Sequence, residues 1–135
     1  MCERQSNPET SAGDTIIQFS SAYGACEKTI QYICETTPAK LRNIDVTFPM
    51  DYNVLVYMFR HAVHDIQKQG GTAKLAMFDT VVTFPGTRLP WEELVKACQE
   101  LSVLSLIDGA HGIGHIDLTH LASVNPDFFT SNCYK

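Results

Sequence analysis

The stretch V-L-S-L-I-D-G-A-H-G-I-G-H at 103–115 decides the fold. Its first five residues are nearly all apolar and read as a strand with a near-continuous apolar face. A carboxylate, Asp108, follows directly. At such a strand end it is poorly solvated unless something pairs with it. Glycines at 109, 112 and 114 let the backbone turn tightly or approach a ligand closely. A buried strand that runs into a glycine-rich loop is the arrangement of an α/β sheet, in which ligands sit at the carboxyl ends of the strands.

Working outward, the same alternation repeats. T-I-I-Q-F at 15–19, L-R-N-I-D-V-T-F at 41–48, A-K-L-A-M-F at 73–78 and D-F-F-T-S at 127–131 read as further strands. Helical spacing appears at 24–36, through Ala25, Thr29, Tyr32 and Ile33, and Pro38 stops it. The longest helical stretch is 51–69, with Val54, Tyr57, Met58, His61, Ala62 and Ile66 as one stripe and Gly70-Gly71 as its end. Pro85-Gly86 marks a turn. Pro90 stands in the first turn of a helix through W-E-E-L-V-K-A-C-Q-E, and a short helix is expected over 117–122. The fold class is therefore α/β, with three layers and a mainly parallel sheet carrying helices on both faces. Residues 1–12 form a polar, disordered lead-in, and 13–135 form the domain. The positions to inspect follow the strands: 20–24, 79–86, 108–115 and 131–135.

Composition bounds the function. The 135 residues are 44% hydrophobic with a formal charge of −5 and no basic run. That gives a nucleic acid or an anionic membrane nothing to bind. No stretch is long or apolar enough to span a bilayer, and the N-terminus lacks a signal peptide's apolar core, so a cytoplasmic protein is expected. The five cysteines, at 2, 26, 34, 98 and 133, are odd in number and form no C-x-x-C, and each reads as a small buried hydrophobe. The 108–115 loop could serve a phosphate, although it is neither G-x-G-x-x-G nor a G-K-[ST] loop. Asp108, His111 and His115 could approach a metal, but no Cys or Glu cluster supports them, and no metal site is assigned.

A third ligand is an electron-sink cofactor. V-L-S-L-I-D-G-A-H-G-I-G-H-I-D-L followed by P-D-F-F-T-S-N-C-Y-K resembles the class V aminotransferase family of pyridoxal-phosphate enzymes. The resemblance is to the branch of isopenicillin N epimerase-like proteins and fungal ergothioneine C–S lyases, and it runs from about Gly13 to the last residue. It implies pyridoxal 5'-phosphate as cofactor, with Lys135 forming the Schiff base to its aldehyde as the catalytic residue. It implies Asp108 beside the pyridine nitrogen, His111 near the ring's phenolic oxygen and Tyr23 of S-A-Y-G-A-C stacked on the ring. Thr83 of F-D-T-V-V-T-F-P-G and Asn132 are implied as further cofactor contacts. The reaction would be C–S cleavage, epimerisation or transamination of a small-molecule amino-acid substrate, in an enzyme that is a homodimer at full length. Two departures stand out. Tyr134 replaces the family's histidine before the lysine, and the family's preceding phosphate-binding segment and small C-terminal domain have no counterpart in these residues. The chain is thus expected to be a piece of the large domain, with a catalytically inactive remnant that holds no cofactor as the alternative.

Overall fold

The structure is a computed structural model that describes residues 10–133. In chain order the elements are β1 (Asp14–Phe19), α1 (Gly24–Thr36), β2 (Lys40–Ile44), α2 (Tyr52–Lys68), β3 (Thr72–Asp79), α3 (Trp91–Leu101), β4 (Leu104–Asp108), α4 (Leu121–Val124) and β5 (Phe128–Thr130). The five strands form one parallel sheet in the order β2-β1-β3-β4-β5. The chain steps one way from β1 to β2, then back past β1 to β3. Because crossovers keep one hand, this reversal sends α1 to one face of the sheet and α2 and α3 to the other.

The packing follows that division. Ile30 of α1 is buried with Ile16, Ala39 and Met77 on one face. On the other, Ile17, Phe19 and Phe78 of the sheet meet Leu55, Phe59 and Val63 of α2 and Trp91, Leu94 and Cys98 of α3. Successive residues of β1 thus serve opposite layers, as a strand buried on both faces requires. Burial pushes the Cys98 thiol up to about 12, with Asp127 adding to the shift and Arg60 opposing it.

Local chemistry fixes the element ends. Asp51 caps α2 by accepting from the Asn53 backbone N–H at 2.7 Å. Gly70, at φ +78°, turns the chain out of α2 in the left-handed region that glycine enters without steric cost. Pro90 immediately precedes α3, and its carbonyl accepts the first helical bond from Leu94 at 3.0 Å.

Four sequence expectations need correction. The stripe of α2 is rotated by one position: Leu55, Phe59, Ala62, Val63 and Ile66 are buried, whereas Tyr57 is 66% exposed and Val54 and His61 face outward. Both stripes are apolar in sequence, and the i, i+4, i+7, i+8, i+11 set is the one that lies flat on the sheet. In α1 the inward residue is Ile30, with Cys26, Ile33 and Cys34 against it, while Tyr32 is 66% exposed. β2 ends at Ile44, before Val46 and Phe48. The short helix falls at Leu121–Val124 rather than 117–122, because residues 110–116 are spent in turns. Of the lead-in expected at 1–12, residues 1–9 lie outside the described residues, and Ser11 is bonded to Asp14, its N–H donating to Oδ2 at 2.8 Å.

Candidate active site

The reversal of strand order between β1 and β3 opens a crevice at the strands' carboxyl ends. A cavity of about 360 Å³ lies at that end of the sheet. Tyr23, Ala25 and Cys26 line it from the start of α1, Asp79 and Thr83 from the end of β3 and the loop beyond it. Asp108, Ala110 and His111 come from the end of β4, and Thr130, Ser131 and Asn132 from the end of β5. Asp108, His111, Tyr23, Thr83 and Asn132, separated by up to 109 positions in sequence, therefore share one cavity. Lys135 and Tyr134 lie outside the described residues.

Asp108 is nearly buried, at 9% exposure, and its carboxylate is oriented from two sides. Oδ1 accepts from the Ala110 backbone N–H at 2.9 Å, and Oδ2 accepts from the Cys26 thiol at 3.4 Å. The backbone behind it is clamped as well. The Asp108 carbonyl accepts from the Thr80 N–H at 3.0 Å and faces the Thr80 hydroxyl at 3.4 Å. The turn that follows is closed by the Gly112 N–H donating to the Gly109 carbonyl at 2.8 Å, which brings His111 back over the cavity.

Two glycines of this loop, Gly109 and Gly112, are pressed against neighbouring side chains, whereas Gly114, at φ +79°, serves the turn. A Cβ on Gly109 would lie 2.1 Å from Cζ of Phe129, and one on Gly112 would lie 2.6 Å from Oγ1 of Thr80. Gly109→Ala is expected to destabilise the chain by about 1–3 kcal/mol, because the Phe129 ring has to move out of its place against the core. Urea unfolding of the two proteins reads the difference, and an unchanged midpoint would refute the packing account.

A latch sets the position of β5. The Asp127 carboxylate accepts from both the N–H (2.8 Å) and the hydroxyl (3.0 Å) of Ser105, whose Oγ in turn accepts from the Asp127 N–H at 3.0 Å. At the other end of β5 the Gly109 N–H donates to the Thr130 carbonyl at 2.7 Å, and the Ser131 hydroxyl donates to the Gly109 carbonyl at 3.0 Å. Asn132 is thereby held at the cavity wall. Its Oδ1 is buried and makes no hydrogen bond among the described residues.

Two further lining residues, Asp79 and Cys26, have no role assigned from the sequence, although Asp79 heads one of the segments that follow a strand. Asp79 is 5% exposed and is the registered partner of Asp108 across β3 and β4, so the two residues stand side by side at the carboxyl ends of these strands and line one cavity. Its signal was present: an acid directly after an apolar strand, as at Asp108. Cys26 had no such signal, because its neighbour is 82 residues away. Of the cysteines read as buried hydrophobes, Cys98 is buried, Cys26 and Cys34 are half-buried and Cys133 is exposed. Cys2 lies outside the described residues. No group of three metal-binding side chains occurs among the described residues.

No family model matches the chain. Individual proteins do. It is 34% identical over 122 residues to an L-cysteine desulfhydrase-like protein of Epichloe uncinata, covering 90% of this chain and 27% of that protein. It is 31% identical over 124 residues to the hercynylcysteine sulfoxide lyase of Schizosaccharomyces pombe, covering 90% of this chain and 30% of the lyase. This chain is a relative of these proteins, in the class V aminotransferase family. It spans between a quarter and a third of their length. The fold agrees. The cystine C–S lyase solved with its product cysteine persulfide superposes with a TM-score of 0.75 at 17% identity, over 92% of this chain and 32% of the lyase. The cysteine desulfurase of Thermococcus onnurineus gives 0.75 at 18% identity, over 91% and 28%. A variant of the same C–S lyase carries glycine covalently linked to its pyridoxal-phosphate cofactor. What these structures share with this chain is the fold of the parallel sheet and its flanking helices.

Proposed function

We propose that the cavity holds pyridoxal phosphate and that the protein cleaves the C–S bond of a sulfur-bearing amino acid. The observation that carries the first part is Asp108: a nearly buried carboxylate on the cavity wall whose Oδ2 has only a thiol as partner among the described residues. A buried carboxylate in that state favours a cationic N–H, and a protonated pyridine nitrogen supplies one. Asp79, its registered neighbour on β3, lines the same cavity. The Oδ1 of Asn132, which has no hydrogen-bond partner among the described residues, is a second polar group that a ligand would satisfy. When bound, the cofactor supplies an electron sink for charge that develops on the amino acid.

The chain's own groups divide the remaining work. Asp108 keeps the ring nitrogen protonated, and Tyr23, half-exposed at the rim, offers a ring face for stacking. His111 donates toward the ring oxygen, while Thr83 and Asn132 orient the ligand. Lys135 provides the covalent attachment. A second cavity of about 340 Å³ shares Thr83 and His111 with the first and adds Val81, Val82, His115 and Ile116. It gives an amino acid's side chain room next to the reacting centre. C–S cleavage, rather than epimerisation or transamination, is favoured by the desulfhydrase-like and sulfoxide lyase relatives. The proposal includes a homodimer at full length and a cytoplasmic location without a nucleic-acid partner. No helix among the described residues is long and apolar enough to cross a membrane.

Adding pyridoxal phosphate to the chain and reducing with borohydride tests the site. Label is expected on Lys135, at low occupancy because the chain carries about a quarter of its relatives' length. Label on Lys74 or Lys96 in its place would end the assignment. The complete absence of label would favour the remnant without cofactor.

A further inference from the structure

We propose that Cys26 is a positioning residue that holds the Asp108 carboxylate in register with Tyr23, an inference that rests on the cofactor reading above. Cys26 is the third residue of α1, three positions after Tyr23, which precedes the helix. Its Sγ lies 3.4 Å from Oδ2 of Asp108 and lines the same cavity, while the rest of the residue packs against the Ile30 layer. The other carboxylate oxygen is fixed by the turn of Asp108 itself, through the Ala110 N–H. One oxygen is thus set by β4 and its loop, the other by α1.

The consequence is mechanical. Tyr23 is the N-cap of the helix whose first turn carries Cys26, so the thiol ties the stacking ring and the acid to a common support. A thiol suits this place because it is a weak donor. It orients the oxygen yet leaves it able to accept a stronger N–H from a ligand. It is also apolar enough to complete the packing beneath α1. Cys34, two turns further along the same helix, packs against the same layer without reaching an acid among the described residues.

Two measurements test the inference. The first uses the chain without cofactor: alkylation of Cys26 by iodoacetamide, followed by mass spectrometry, in the natural protein and in Asp108→Asn. A carboxylate against a thiol disfavours the reactive thiolate, so the substitution is expected to speed Cys26 labelling about five-fold while Cys34 keeps its rate. Equal rates at Cys26 would overturn the contact. The second compares Cys26→Ala and Cys26→Ser, each checked for folding by circular dichroism. Cys26→Ala is expected to weaken retention of pyridoxal phosphate about five-fold and to move the pH dependence of its visible absorption, and Cys26→Ser to return both to within about two-fold. Retention and spectrum unchanged in Cys26→Ala would overturn the positioning role. If the natural chain traps no cofactor at all, the cofactor reading falls, and the alkylation comparison still decides whether Cys26 holds Asp108.

Discussion

Asp108→Asn is expected to weaken the chain's retention of pyridoxal phosphate by about 10- to 100-fold while leaving its unfolding midpoint nearly unchanged. The two halves of that expectation have separate causes. Asparagine has the shape of aspartate and keeps an oxygen at the position of Oδ1, so the 2.9 Å bond from the Ala110 N–H survives and the turn still closes. The backbone clamp from Thr80 is untouched, since it acts on the carbonyl of residue 108. The negative charge is lost, and with it the charge-assisted bond to a protonated ring nitrogen, which is about twice as strong as its neutral counterpart. Removing a nearly buried charge also relieves desolvation, which offsets any small loss in the fold. Equilibrium binding followed by borohydride trapping gives the first quantity, and urea unfolding the second. Equal retention in the two proteins would place the ring nitrogen elsewhere. A collapse in stability would make Asp108 a structural acid.

The sheet was legible in the sequence because its strands are short apolar runs that end at turn-forming residues, and because each run is followed by a periodic helix or a glycine-rich loop. Five of five named site residues within the described range face one cavity, since each stands just beyond a strand or at the start of the helix that follows one. What the sequence concealed is lateral. The neighbourhood of Cys26 and Asp108 depends on β4 and α1 meeting at one end of the sheet. Asp79 stands next to Asp108 only because β3 and β4 pair in that register. Nothing along the chain encodes such contacts. The helix faces are ambiguous in sequence for another reason. In α2, Val54 and the ring of Tyr57 are apolar like the buried Leu55 and Phe59, so periodicity offers two faces and only packing against the sheet chooses between them. The Ser105–Asp127 latch was likewise hidden, because a serine in an apolar run looks like an interruption until its partner is known.

Trp91→Ala is expected to cost about 3–5 kcal/mol, a large share of the 5–15 kcal/mol that a domain of this size possesses. Trp91 is fully buried at the first position of α3, in the larger of the two cores. It also supports the site from behind. The His120 ring lies against its indole, with centroids 5.4 Å apart, and His120 bonds to Glu92 at 2.9 Å, which pairs with Arg88. The chain from His111 to the short α4 therefore leans on the same helix end that receives the loop carrying Thr83. Trp91→Phe separates packing from polarity. The indole N–H is buried without a hydrogen-bond partner among the described residues, so phenylalanine removes an uncompensated donor along with some volume. Its cost is expected to be about 1 kcal/mol. Urea unfolding of the three proteins ranks them. If phenylalanine proved as damaging as alanine, the indole N–H would have to make a bond that matters, and the support it gives to the His120 segment would be polar rather than one of shape.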